Sequence, residues 1–320
     1  MKILTIQNRM GIGDTVLFLP YIKAISEKFN SPVDILVKES SKADQYLYNA
    51  SYIDNIITLD RTKKYRSKHN GLFGSIRLIQ DLKKYNFDKI FIFNSSLRFN
   101  IIARLSGVKE IYQYPLFKKK KQHITNTPRK FIKENLGIDI HEDPKIKVDE
   151  ELVKKCVSKY NIDKDETNIL LGIGGSGPTK RIPAEIFLKF MEKVSKFKKC
   201  KFFLATGKKN EEQTILNKII NSKFNNKCIR LDHLSIKETL PIIKNCDVAI
   251  CNDSSFSHLS AALEIKTITL MADTPLIYGN YNSNMVPIIP DNVEIVTHGT
   301  LGKDRINPDE IFDKLKEILS

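Results

Sequence analysis

The sequence predicts an α/β protein made of two Rossmann-like, doubly wound domains. Three observations carry that expectation. Short apolar runs alternate with longer segments whose apolar residues recur at helical spacing, the pattern of a parallel sheet with helices on both faces. The alternation stops once, in the polar, proline-containing stretch 141–164, and then begins again. The chain has 320 residues, 41% hydrophobic and 28% charged, enough for two domains with ordinary cores. The expected domains are 1–160 and 161–320, the second ending in a C-terminal helix.

In the first half, Lys2–Gln7 reads as a buried strand, followed by a turn over Asn8–Gly13 and a helix opened by Asp14. Val16, Leu19, Ile22 and Ile25 keep the helical period there, with Pro20 in the second turn. Val33–Val37, Ile56–Leu59, Lys89–Phe93 and Ile111–Tyr114 are the next strands, with a short helix before Ile56 and a surface loop over Thr62–Asn70. Helices are expected at Leu72–Lys84, Arg98–Ser106, Pro128–Leu136 and near Glu151–Tyr160. In the second half the strands are Asn168–Ile173, Lys201–Ala205, Cys228–Leu231, Asp247–Cys251 and Thr267–Met271. The helices are Ala184–Phe197, Glu211–Ile220, Ile236–Lys244, Phe256–Leu263 and Asn307–Leu319, the last started by Pro308.

The formal net charge of +15 calls for an anionic partner: nucleic acid, a membrane surface or a phosphorylated substrate. Five cysteines, an odd number with no C-x-x-C pair, read as reduced thiols of a cytoplasmic protein. No apolar run approaches the ~20 residues of a membrane helix, and the chain enters a strand with no signal peptide before it. The six histidines are scattered with no pair at ligand spacing, so no metal is expected. A nucleic-acid binder would interleave aromatic and basic residues; only Tyr112, Tyr114 and Phe117 near Lys118–Lys121 do so, and nucleic acid is not an expected partner. The lysine run reads either as a solvated loop or as an attachment to acidic lipid.

Three loops follow strands and should line a cleft between the two sheets. The first, Gly11-Ile12-Gly13-Asp14, starts like a dinucleotide fingerprint, which fails at Val16. Asp14 is then either the helix N-cap or a general base. The second is Gly174–Arg181. Pro178 stands where a triphosphatase loop needs lysine. The loop still offers free N–H groups, Ser176, Thr179, Lys180 and Arg181, a set suited to a diphosphate or to an ordinary basic turn. The third is Asn252–Ser255 with His258 in the following helix, where open N–H groups and the helix dipole make an anion site.

At these loops the chain resembles glycosyltransferase family 9, the lipopolysaccharide heptosyltransferases. That family reads, loosely, x-x-G-D followed by proline, and here MGIGDTVLFLP stands at Met10–Pro20. It reads G-x-x-x-x-K-R/H-W-P, matched by GGSGPTKRIP at Gly174–Pro183. Its N-D-T/S-G-x-x-H-L-A-A-A-L corresponds to NDSSFSHLSAAL at Asn252–Leu263, and its P-T-x-P-x-x-y-G-P-y to MADTPLIYGNY at Met271–Tyr281. FDKIFIFNSSLRFNIIARLSGV also looks like its middle N-domain motif. The resemblance spans nearly the whole chain in the right order.

The resemblance implies a GT-B architecture with acceptor on the N-domain and nucleotide sugar on the C-domain. It implies inverting transfer of heptose or a related sugar, without metal or cofactor, from a nucleotide-diphosphate donor such as ADP-heptose. The acceptor would be an anionic lipid-linked saccharide such as the lipopolysaccharide core, met peripherally at the cytoplasmic face of the inner membrane. Asp14 matches the catalytic base. Ser176, Thr179, Lys180, Leu234, Asp253, Ser254, Ser255 and His258 fall at donor positions; Gly11, Gly13 and Lys118, Lys119, Lys120 and Lys121 fall on the acceptor side. A non-transferring GT-B enzyme such as a nucleotide-sugar epimerase, or an inactive saccharide-binding homologue, is the alternative. Ser255 replaces the family's Gly, Ile182 its Trp, and Met271–Thr274 its F-G-P-T. These departures are expected to surround the donor.

Overall fold

The computed structural model describes residues 1–9, 11–61, 67–116 and 124–320. The chain divides into two compact units, Met1–Pro144 and Lys145–Ser320. The division falls at Pro144, earlier than position 160, because the helix Glu150–Lys159 packs on the helix Ile236–Ile243 of the second unit.

In the first unit β1 (Ile3–Ile6), α1 (Ile12–Phe29), β2 (Val33–Lys38), β3 (Ile53–Leu59), α2 (Gly71–Lys83), β4 (Lys89–Ile92), α3 (Leu97–Leu105), β5 (Glu110–Gln113) and α4 (Asn126–Leu136) follow in order. The strands form one parallel sheet ordered β3-β2-β1-β4-β5. Alternation along the strands splits the core. Leu4, Ile6, Leu36, Ile90 and Ile92 face Leu78 and Leu82 of α2 and Phe99, Ile102 and Ala103 of α3. Phe91 and Phe93 point the other way, where Phe18 of α1 and Phe131 of α4 meet Phe93 edge-on at 5.2 and 5.4 Å between ring centres.

Local differences from the sequence expectation have simple causes. The helix expected from Asp14 begins at Ile12, with Gly11 as N-cap, because Asp14 reaches back to the cap from the third helical position. Pro20 is therefore interior to α1, and the burial of nearly all its neighbours holds the helix despite the missing N–H. The short helix before β3 is two 3-10 turns, Glu39–Ser41 and Ala43–Gln45. Much of the loop expected over Thr62–Asn70 lies outside the described residues, as does Lys118–Lys121.

Gly74 lies where α2 crosses the backbone of His69. A Cβ there would stand 2.3 Å from the His69 carbonyl carbon, so the backbones must part to admit it. Gly74→Ala is expected to destabilise the first unit by about 1–3 kcal/mol although alanine is the better helix former. Urea unfolding monitored by circular dichroism measures this, and a midpoint at or above the parent's would refute it.

The second unit holds α5 (Glu150–Lys159), β6 (Thr167–Gly172), α6 (Ala184–Phe197), β7 (Cys200–Ala205), α7 (Asn210–Ile220), β8 (Cys228–Arg230), α8 (Ile236–Ile243), β9 (Val248–Asn252), α9 (Ser255–Ala262), β10 (Thr267–Leu270), β11 (Met285–Ile288) and α10 (Pro308–Leu319). Its sheet is parallel, in the order β11-β10-β9-β6-β7-β8. Phe187, Phe190, Met191 and Val194 of α6 bury against Ile169, Leu171, Phe202 and Leu204, and α10 covers α6 through Ile311 and Leu315. Sequence reading missed β11, which carries Pro287; an edge strand tolerates the lost donor. Among the described residues no helix is long and apolar enough to cross a membrane.

Candidate functional site

Ligands of open parallel sheets bind beyond the strand C-termini, so the chemistry is sought there in each unit. In the first unit that edge carries Asp14. Its Oδ2 accepts from the Gly11 N–H at 3.1 Å, and its Oδ1 stands 3.7 Å from an Arg9 Nη1. Gln7 fixes the turn: its amide donates to the Asp14 carbonyl at 3.1 Å and its Oε1 accepts from the Arg9 N–H at 2.6 Å. Gly11 is the cap and Gly13 lies inside the first turn. The carboxylate stays partly exposed, its side chain keeping 27% of its accessible surface. It is held and oriented but open to a hydroxyl.

Sequence reasoning missed a basic neighbour. Lys38 ends β2, and burial, then the charge of Arg61, push its ammonium below the ordinary lysine range while Asp14 works against them. Lys38 closes β2 and Arg61 lies just after β3, so the two cations meet at the C-terminal ends of neighbouring strands, a juxtaposition that the sheet order creates.

In the second unit three segments converge. After β6, Gly174–Lys180 forms the predicted loop, with Pro178–Lys180 in a 3-10 turn. After β9 come Asp253 and the N-cap Ser254 of α9. After β10 come Asp273 and Thr274. Lys180 Nζ meets Asp253 Oδ2 at 2.6 Å, and His258 Nε2 lies 3.9 Å from Asp253 Oδ1. Asp253 is buried. Burial alone would raise its pKa, but the charges of Lys180 and His258 outweigh it and hold the carboxyl below its ordinary range. His258 is itself braced: its Nδ1 lies 2.8 Å from the Tyr281 hydroxyl, and the two rings stack at 5.6 Å.

The loop is shaped from beneath by residues that the sequence did not single out. Asn252 Nδ2 donates to the carbonyls of Ile173 and Gly174 at 2.9 and 3.2 Å. Glu212 of α7 is buried, and its Oε1 accepts from the Gly175 N–H at 3.0 Å. A Cβ on Gly174 would stand 2.7 Å from that oxygen and 2.9 Å from Thr206 Oγ1, so a larger residue would have to displace the Glu212 carboxylate from the loop. Arg181 is buried with its Nε donating to Gly175 O at 3.0 Å; it is a loop strut more than a ligand group. Asp273 accepts from the N–H groups of Gly299 and Leu301 at 2.8 and 2.9 Å. Burial raises its pKa, and those two donors with the Thr179 hydroxyl bring it below the usual value.

Unpartnered buried oxygens gather here: Asn252 Oδ1, Ser254 Oγ and Thr206 Oγ1. Buried polar atoms rarely lack partners, and a polar ligand at this edge would supply them. The first-turn N–H groups of α9 also have no intrahelical acceptor. The predicted residues Thr179, Lys180, Asp253, Ser254, Ser255 and His258 thus belong to one region. Ser176 is exposed at the loop tip, and Leu234 is half-buried just before α8, its N–H bonded to Leu231 O at 3.0 Å. Ile182, which stands where the family has Trp, is fully buried in the sheet–helix core of the second unit. Among the described residues no group of three His, Cys, Asp or Glu side chains is placed to hold a metal.

Comparison with known proteins agrees with this architecture. The family model for glycosyltransferase family 9 (heptosyltransferase) matches residues 75–299. Lipopolysaccharide heptosyltransferase 1 of Campylobacter coli is 23% identical over 96% of each chain. A family 9 glycosyltransferase from Veillonella parvula superposes with a TM-score of 0.80 at 16% identity, covering 99% of this chain and 97% of that one. The E. coli ADP-heptose lipopolysaccharide heptosyltransferase II gives 0.74 at 15%, covering 100% and 98%. The two parallel-sheet units are those of the GT-B heptosyltransferase fold, and the chain belongs to glycosyltransferase family 9.

Proposed function

We propose that the protein transfers heptose or a related sugar from a nucleoside-diphosphate donor, ADP-heptose being the first to test, to a hydroxyl of an anionic lipid-linked saccharide. The observation that carries the donor half is the Lys180–Asp253 pair beside the open start of α9. Lys180 and the α9 N–H groups face the diphosphate, with Thr179 and Ser254 adding hydroxyls. Asp253 and His258 hold the sugar and keep Lys180 in place. Ser176 and Leu234 complete the phosphate and base contacts, with Ser255 at the helix start.

The acceptor half rests on Asp14. As an acceptor oxygen attacks the anomeric carbon, its proton passes to the Asp14 carboxylate. The bond from that carbon to the diphosphate oxygen breaks, and the electron pair leaves on the diphosphate. Attack opposite the departing group inverts the anomeric configuration. Lys180 and the amides of α9 offset the charge that grows on the leaving group, so the step requires no metal. Gly11 and Gly13 let the acceptor approach. Arg9, Lys38 and Arg61, with Lys118–Lys121 from the sequence, favour an acceptor bearing phosphate or carboxylate. The +15 charge supports work against acidic lipopolysaccharide core at the cytoplasmic face of the inner membrane.

The test incubates purified protein with ADP-heptose and a lipid-linked core acceptor, with a metal chelator present. Stoichiometric ADP release and an inverted product anomer by nuclear magnetic resonance are expected. Donor consumed without an acceptor, or a C2-inverted nucleotide sugar among the products, would replace transfer with the hydrolase or epimerase reading.

A further inference from the structure

The described residues contain ten exposed large apolar side chains, and six of them sit on two helices of the first unit: Leu72, Phe73 and Ile76 on α2 and Leu97, Ile101 and Leu105 on α3. Leu97, Ile101 and Leu105 recur every four residues and form one stripe. These are not the core faces of the helices. Leu78, Leu82, Phe99 and Ile102 already bury the inner side, so α2 and α3 are apolar outward as well. The two helices pack side by side on the same sheet face. Each follows a strand, so its first turn stands at the strand C-terminal edge, the edge that also carries Asp14.

This outward display is held rigidly. Arg98 at the start of α3 donates to Ser75 Oγ on α2 at 2.8 Å and to His69 O at 2.6 Å, tying both helices to the turn before α2. His69 is buried, its Nδ1 accepting from the Asp60 N–H at 3.1 Å, which leaves Nε2 to donate to Asp81 at 3.2 Å. Leu72 and Phe73 follow that pinned turn and remain 77% and 79% exposed. Single exposed apolar side chains are ordinary, but six gathered on two packed helices make a patch of the kind that marks an interaction surface.

The surrounding charge selects the occupant. Arg61, Arg77 and Arg104 are exposed around the patch. The single acidic residue on either helix, Asp81, is met by Lys68 at 2.6 Å and by His69 and Lys84. A second copy of the chain would bring like charge against like. The geometry points to the outer face of α2 and α3 as the surface on which the protein docks to an anionic phospholipid bilayer. The apolar side chains enter the region below the headgroups and the arginines meet the phosphates. The patch adjoins the catalytic edge, so a lipid-linked acceptor would be presented to Asp14 without leaving the membrane. This rests on the reading that the acceptor is lipid-linked.

The experiment compares the parent, Phe73→Ser/Leu97→Ser and Phe73→Leu by co-sedimentation with phosphatidylglycerol-containing and pure phosphatidylcholine vesicles. Melting temperature, ADP affinity and native mass are recorded alongside. The parent is expected to prefer the acidic vesicles and to detach as salt rises above about 0.1 M. The double variant is expected to lose roughly tenfold or more of its vesicle partition while melting and binding ADP as the parent does; Phe73→Leu should retain it. Equal binding of parent and double variant, or no binding by the parent, overturns the assignment. So does a parent dimer that the double variant dissolves without any change in vesicle binding. Absence of ADP affinity in the parent would strike the donor reading alone, leaving the vesicle result to stand.

Discussion

Asp14→Asn is expected to leave the melting temperature and donor affinity at parent values while lowering transfer by ~10²–10⁴-fold. The fold tolerates the change because the side chain's structural task is to accept the Gly11 N–H at 3.1 Å, and an Asn amide oxygen can do the same. What Asn cannot do is take a proton from a hydroxyl. Asp14 is the third residue of α1 and not its cap, so the capping preference that would have confounded the substitution does not apply. The turnover number should fall with little change in the Michaelis constant for donor, since the lost interaction exists only in the transition state. A variant with parent stability and near-parent turnover would remove Asp14 from the chemistry.

Lys180→Ala is expected to weaken nucleoside-diphosphate affinity by about 1.5–3 kcal/mol, roughly 10–150-fold, measured by calorimetry. It should also destabilise the second unit by about 1–3 kcal/mol, because Asp253 keeps its burial and loses its main cation. The folded-state pKa of Asp253 is depressed, so the stability it contributes is present above the unfolded carboxyl value. That stability is lost as pH falls through the folded value. Removing Lys180 lets burial drive the pKa upward. The melting difference between parent and variant should therefore be wide at neutral pH and narrow as pH falls from the variant's raised carboxyl value through the parent's depressed one, below which Asp253 is protonated in both. Adding Asp253→Asn to Lys180→Ala should recover stability but not donor affinity. Parent-like affinity for every nucleoside diphosphate tested would move the donor away from Lys180.

Much of this protein is legible in its sequence because its signals are local. Apolar runs and helical spacing set the alternation of strands and helices, since burial of each element's apolar side is the main driving force at that scale. Lys180, Asp253 and His258 are candidates because basic and polar residues at a strand–helix turn suit an anion, although ordinary turns look the same, and the family resemblance joins them in order. Tertiary structure decided the rest. Glu212 looks like any first-turn acid of a surface helix, and only the packing of α7 under Gly174 and Gly175 makes it a buried loop anchor. Ile182 sat within a donor motif yet faces the core, because register along the loop fixes side-chain direction and no motif encodes register. By local sequence Asp14 is either a cap or a general base, and the structure starts α1 two residues earlier, with Gly11 as the cap. Lys38 ends β2 and Arg61 follows β3, and the two come together through the pairing of those strands. The outward apolar stripe on α3 cannot be told from a core face in sequence, since periodicity reveals that a helix has an apolar side but not which of its sides the sheet covers. A chain records what each residue prefers; which preferences meet within each unit is fixed by long-range packing.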